Sequence, residues 1–155
     1  KITKKDLEAK LQKLNVIEKE VENTILNYED YKNGYKDLEA KLQELNVIEN
    51  ELENTILNWD DYKSEYVDTI YQFIIDNGIF YVACSCESEG LDLIIDHLED
   101  EGLEGWFIEV GLDDDDYIID YEGNKYYNDE YVIGGNYGRY LYTGENFRIE
   151  QLETF

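Results

Sequence analysis

Residues 6–32 read Asp-Leu-Glu-Ala-Lys-Leu-Gln-Lys-Leu-Asn-Val-Ile-Glu-Lys-Glu-Val-Glu-Asn-Thr-Ile-Leu-Asn-Tyr-Glu-Asp-Tyr-Lys, and residues 37–63 repeat them almost unchanged. Residue 6 recurs at 37, a spacing of 31, and the exchanges are mild: Lys13 for Glu44, Val21 for Leu52, Tyr28 for Trp59. Such closeness points to duplication of one structural unit, and two copies are too few for a solenoid. In the first copy Leu7, Leu11, Leu14, Ile17, Val21, Ile25, Tyr28 and Tyr31 recur in steps of three or four, which predicts a helix with a single apolar stripe. Ile2, Thr3, Asp6 and Leu7 read as a staple and a capping box with Asp in place of Glu, so the helix is expected to begin near Lys4.

Asn33-Gly34 breaks the pattern between copies and predicts an antiparallel helical hairpin. A continuous rod is the alternative, because the stripe stays in phase through Tyr35, Leu38, Leu42 and Leu45 and one interior Gly costs only about 1 kcal/mol. Asn15 and Asn46, each followed by Glu three residues on, could also break each unit. The second helix is expected to run through Tyr62, Tyr66, Ile70 and Phe73 to Asn77-Gly78. Two such helices bury little alone, so they must pack on each other, on the rest of the chain or on a second copy, and a homodimer through this module stays open.

From Ile79 the pattern changes. Ile79 to Cys86 is dense in β-formers and predicts a buried strand; Ser88 to Gly102 predicts a short helix; Trp106 to Val110 predicts a second strand. After Asp113 to Asp116, the segments Tyr117 to Tyr121, Tyr126-Tyr127 and Glu130 to Ile133 predict two or three antiparallel strands with a turn at Glu122-Gly123-Asn124. The expected fold class is α+β: a helical module over residues 1–77, built from the duplicated unit, and a small acidic antiparallel-sheet domain with one helix over residues 78–155.

Among 155 residues, 13 are Lys or Arg and 38 are Asp or Glu, a formal net charge of −25. Residues 1–76 hold 10 Lys against 18 acids, whereas residues 77–155 hold Lys125, Arg139 and Arg148 against 20. A field this negative repels phosphate polymers and anionic membrane surfaces, which excludes direct nucleic-acid binding. Disorder does not follow, because hydrophobic residues make up 43% and Tyr alone numbers 15. No apolar run reaches the length of a membrane span and no apolar signal core follows Lys1, so a cytoplasmic protein is expected.

The inventory is poor for catalysis, and no enzyme activity is expected. His97 is the single histidine, on an acidic helix, and the carboxylates oppose formation of a thiolate at Cys84 or Cys86. The two cysteines are too close along a strand for ordinary disulfide geometry, roughly 6.5 to 7 Å apart on one face. Cys84-x-Cys86 lacks the usual zinc spacing, and Asp113 to Asp116 lacks the Gly and terminal Glu of an EF-hand, so neither metal nor cofactor is assigned.

What such a composition can do is impersonate DNA. B-form DNA displays one negative charge per about 1.7 Å of axis, and its binders carry a matching basic groove that fixed carboxylates could occupy. The expected contact surface is Asp113, Asp114, Asp115, Asp116, Asp120, Glu122, Asp129 and Glu130, with Tyr117, Tyr121 and Tyr127 offering ring faces to guanidinium groups. Tyr137-Gly138-Arg139-Tyr140-Leu141-Tyr142-Thr143-Gly144-Glu145-Asn146-Phe147 resembles a segment near the carboxyl terminus of the ArdA antirestriction proteins, which have Tyr-Gly-Arg, a Leu two residues later, then Ser/Thr-Gly and Phe. The duplicated helices lie outside that pattern. The resemblance implies a phage or mobile-element protein that mimics DNA and blocks a defence nuclease of the bacterial host, a restriction enzyme or a CRISPR effector. The rival expectations are an acidic chaperone or regulator of a basic protein, and a calcium-binding structural protein.

Overall fold

The computed structural model describes residues 2–26, 35–100, 106–115, 117–126, 132–136 and 138–153. Two long helices, α1 (Lys4–Leu26) and α2 (Tyr35–Thr55), lead into a short strand β1 (Ile56–Leu57), a five-residue helix α3 (Trp59–Lys63) and a hairpin of β2 (Ile70–Ile75) and β3 (Gly78–Ala83). Helix α4 (Glu87–Asp100) follows, then β4 (Phe107–Leu112), β5 (Ile118–Asp120), β6 (Lys125–Tyr126), β7 (Val132–Gly134), β8 (Arg139–Tyr142) and β9 (Phe147–Gln151). The class is α+β, as expected. One sheet has the order β1-β3-β2-β9 and the other β6-β5-β4-β8-β7, antiparallel throughout except where β1 joins β3.

Helix α1 starts where the capping residues put it: the Asp6 N–H donates to Thr3 Oγ1 and the Thr3 N–H donates to Asp6 Oδ2, each at 3.2 Å. Neither helix breaks at Asn15 or Asn46. Their direction is settled by three cross-helix ion pairs, Lys10 with Glu51, Lys13 with Glu44 and Lys41 with Glu20, whose partners descend along α2 as they ascend along α1. The helices are antiparallel, and the rod is excluded. Because the repeat is 31 residues, exchanging copies turns Lys10–Glu51 into Glu20–Lys41, while Lys13 and Glu44 occupy one and the same repeat position. The hairpin therefore has an approximate internal two-fold axis, and the Lys13 to Glu44 exchange replaces a like-charge contact on that axis by an ion pair at 2.6 Å.

The copies part company at their ends. Asn-Thr-Ile-Leu-Asn occurs at 23–27 and at 54–58; Ile25 is helical and 57% exposed, whereas Ile56 is in β1 and 2% exposed. Local propensity is the same, so tertiary packing decides: β1 pairs with β3, and Asn58, at φ 64°, turns the chain while its Nδ2 donates to the Ala83 carbonyl at 3.2 Å. The second helix accordingly stops at Thr55, not at Asn77, and residues 70–75 are a strand. Tyr66, expected on the helical stripe, is 81% exposed beyond α3. Tyr28 and Tyr31 lie outside the described residues.

The four-stranded sheet is buried on both faces. Ile56, Ile70, Tyr81 and Ala83 join the core with Leu7, Leu11, Leu14, Ile17, Leu38, Ile48 and Leu52 of the helices. Phe73, Ile75, Val82 and Cys84 join Leu91, Ile94, Ile95 and Leu98 of α4, with Tyr142 and Ile133 from the second sheet. The boundary drawn between residues 77 and 78 falls in the turn of the β2–β3 hairpin, whose strands pair from Ile70 with Ala83 to Ile75 with Gly78. The segments on either side of it share one sheet.

Two polar clamps position the second sheet. Asp76, at φ 51°, accepts hydrogen bonds from Tyr142 Oη and from the N–H groups of Glu145 (2.8 Å) and Asn146 (3.1 Å), tying the β2–β3 turn to the β8–β9 turn. Asp92 of α4 is buried and accepts the Asn136 N–H at 2.8 Å beyond β7; a Cβ on Gly135 would strike its carboxylate.

Equivalent repeat positions differ sharply in burial, Leu11 at 2% exposed against Leu42 at 40%. Leu11→Ala should cost about 2–5 kcal/mol and Leu42→Ala under about 1 kcal/mol in urea unfolding, although the two leucines have nearly the same sequence neighbours.

Candidate functional site

The expected contact surface lies on the second sheet, where β4, β5 and β6 form two consecutive hairpins. Both turns are built by one device. Asp113 Oδ1 accepts the N–H groups of Asp115 (3.0 Å) and Tyr117 (2.9 Å), two and four residues on. Asp120 Oδ1 accepts those of Glu122 (3.0 Å) and Asn124 (2.9 Å), again two and four residues on, while its Oδ2 takes Asn124 Nδ2 (3.1 Å) and Tyr126 Oη (2.9 Å). Each carboxylate substitutes for a missing strand partner and closes its turn. Gly123, at φ 87°, supplies the left-handed residue the second turn requires.

These bonds fix the charge state. The Tyr117 N–H holds the Asp113 carboxyl below the usual carboxylate range, with burial opposing and Asp115 N–H and the nearby Lys125 assisting. Burial acts to raise Asp120, but the Asn124, Tyr126 and Glu122 donors together outweigh it and its pKa is lowered. At the first clamp, the Tyr142 hydroxyl and then the Asn146 and Glu145 N–H groups depress Asp76, while burial and that ionised partner raise Tyr142.

The predicted residues therefore divide. Asp113 and Asp120 are engaged in shaping the chain, and Lys125 further occupies Asp113 at 3.5 Å while lying 4.9 Å from the Tyr117 ring centroid. Asp114, Asp115 and Glu122 are exposed; Tyr117 is 46% and Tyr121 85% exposed, and Tyr121 Oη donates to Glu109 Oε1 at 3.0 Å. Glu109 belongs to this surface and was missed, because within the alternation of β4 it carries no signal beyond that of any polar strand residue. Asp116, Tyr127, Asp129 and Glu130 lie outside the described residues.

The groups considered for nucleophilic or metal chemistry do not converge. Cys84 is buried under α4, where burial, with Glu89 and Cys86 adding, pushes its thiol up to about 12. Cys86 is exposed, and His97 stands edge-on to Phe80 at 6.2 Å. Among the described residues no three His, Cys, Asp or Glu side chains are placed to hold a metal ion, and no helix is long and apolar enough to cross a membrane.

The segment from Gly138 to Phe147 acts in packing. Leu141 and Tyr142 are buried in β8, a Cβ on Gly144 would collide with Tyr142 and Asp76, and Phe147 contacts Phe73, Phe107 and Tyr142. Comparison with protein-family models, with curated proteins and with solved structures finds no match for this chain.

The pKa shifts give a two-signed acid profile. Asp76, Asp113 and Asp120 titrate below their unfolded value of about 3.9, so the unfolded chain takes up protons first and their stabilisation, complete above about pH 5, is lost as pH falls through the folded values. Glu18, raised by burial and by Glu49 and Glu22, acts the other way, and its protonation favours the fold. Stability in urea should rise as pH falls from neutrality toward the ordinary carboxylate range and fall below about 4. Asp113→Asn with Asp120→Asn should flatten the acid limb only, and a rise continuing to pH 3 in the wild type would contradict the assignment.

Proposed function

We propose that the protein is a stoichiometric inhibitor of a bacterial defence nuclease, a restriction enzyme or a CRISPR effector, and that it acts by DNA mimicry without catalysis. The observation that carries the reading is the charge of residues 77–155, where 20 acids face three cations. Such a density opposes folding by self-repulsion and exceeds what solubility needs, so it calls for a partner that gains from it. A basic DNA groove is such a partner: carboxylates entering it release the same counterions that phosphates release.

The local geometry supports this assignment. Asp113 and Asp120 lock the two turns, so Asp114, Asp115, Glu122 and Tyr121 are presented on short, cross-braced hairpins and lose little freedom on binding. Exposed tyrosines beside carboxylates suit Arg-rich surfaces, where a guanidinium can stack on a ring and pair with a neighbouring acid. In the helical module Lys4, Lys10, Lys13, Lys41 and Lys63 are each within reach of a carboxylate, which lowers the positive potential offered to a partner. The ArdA-like segment at Tyr137 to Phe147 points to the same class of target. On this reading the protein works in the cytoplasm of the bacterial host, apart from membranes and nucleic acid.

Affinity capture from a bacterial lysate containing restriction and CRISPR systems, followed by competition with labelled DNA on the retained enzyme, tests the proposal. The protein should displace DNA at one-to-one stoichiometry, with an affinity that falls steeply as salt rises. Asp114→Asn with Asp115→Asn should weaken it by about three- to tenfold, as expected for two exposed ion pairs. Retention of a histone-like basic protein in place of a nuclease would favour the chaperone reading.

A further inference from the structure

A cleft of about 390 Å³ opens between α1, α2, α3 and the chain that follows α3, remote in sequence from the acidic hairpins. Its lining joins the half-buried Tyr62, packed on the core residue Trp59 (5% exposed) with centroids 5.3 Å apart and tilted by 30°, to the carboxylate residues Glu18, Glu49, Glu65 and Asp68. Lys63 at the same cleft lies 3.2 Å from Glu49 Oε2. Among the described residues Glu18, Glu65 and Asp68 have no salt bridge to a cation. Burial, then Glu49 and Glu22, raise the Glu18 pKa and Lys63 offsets this only in part, so an added positive charge there would be stabilising.

The lining selects a ligand class by elimination. An anion is repelled by four carboxylates, and a neutral apolar molecule would cover Glu18 without giving it a partner. A bare divalent ion needs several converging oxygens, and among the described residues no three carboxylates are placed to hold one. What remains is a cation with a weakly hydrated, partly apolar body, able to stack on a ring and hydrogen-bond a carboxylate at once.

We propose that this cleft binds one organic cation, a guanidinium or alkylammonium group, against Tyr62, whose ring packs on Trp59, with Glu18 as its principal counter-charge. Lys63 is the resident cation that an incoming one meets at Glu49. The site does not depend on the DNA-mimic reading, and either can fail while the other stands. The cation could be a free amine or a side chain presented by a protein, and these are separable.

The test is a titration of the full chain with N-acetyl-arginine methylamide at constant ionic strength, read at the indole N–H resonances of Trp59 and Trp106, the two tryptophans of the chain. The Trp59 signal should shift saturably and that of Trp106 should not. Glu18→Gln should weaken binding about tenfold, as loss of one charge-assisted hydrogen bond implies. Lys63→Ala should tighten it several-fold, and Asp114→Asn should leave it unchanged. Removing the Glu18 charge favours folding and Lys63 is half exposed, so both variants should retain the fold. A neutral citrulline analogue acting equally well, or a shift that neither saturates nor responds to Glu18→Gln and Lys63→Ala, overturns the proposal. A short Gly/Ser peptide with one central Arg binding more tightly than the single-residue probe assigns the cleft to a protein side chain; spermidine binding more tightly assigns it to a free amine.

Discussion

Everything in this molecule depends on a four-stranded sheet that is covered on both faces. The helical hairpin lies against one face through Ile56, Ile70, Tyr81 and Ala83; α4 and the second sheet lie against the other through Phe73, Ile75 and Val82. A strongly anionic chain gains cohesion mainly from apolar burial, and this sheet is where two cores are made from one set of strands. Its edges are set by the chain's own economy: β1 lies within the second repeat, directly after α2, and β9 is the last strand, so helices and acidic hairpins are joined through a single hydrogen-bonded layer.

The charge is handled by giving carboxylates two different tasks. Asp76, Asp113 and Asp120 accept backbone N–H groups, which keeps them ionised and makes their charge part of the fold. Lys10, Lys13 and Lys41 place positive charge between the helices, where it offsets repulsion between two acidic faces. The internal two-fold relation of the hairpin sets the two equivalent positions Lys13 and Glu44 against each other. Two identical units would oppose Lys13 with Lys, whereas Glu44 at that repeat position gives an ion pair.

Much of this was legible in the residues, and the failures have physical causes. The two repeat helices, the capping residues of the first and the fold class follow from periodicity and turn chemistry, whereas the strands at Arg139–Tyr142 and Phe147–Gln151 were not foreseen. The error at residues 70–75 arose because a strand buried on both faces loses its alternation, so that Ile70 and Phe73, three apart, imitate a helical stripe. The end of α2 was hidden for a stronger reason: within the same five-residue sequence the Ile-Leu pair is helical at 25–26 and extended at 56–57, so only packing distinguishes them. In the acidic surface, composition identified the residues but not their division of labour. A run of four aspartates does not reveal that Asp113 turns inward to its own backbone while Asp114 and Asp115 face solvent.

The most direct measurement of the central claim, that fixed carboxylates on these hairpins take the place of phosphates, is hydrogen exchange on the complex with the captured target. The account predicts slowed exchange at residues 107–126 of this chain and along the DNA-binding groove of the enzyme, with no further slowing of the groove when DNA is added. Protection confined to the exposed apolar positions Ile25 and Leu42, with the groove still free to take DNA, would contradict it.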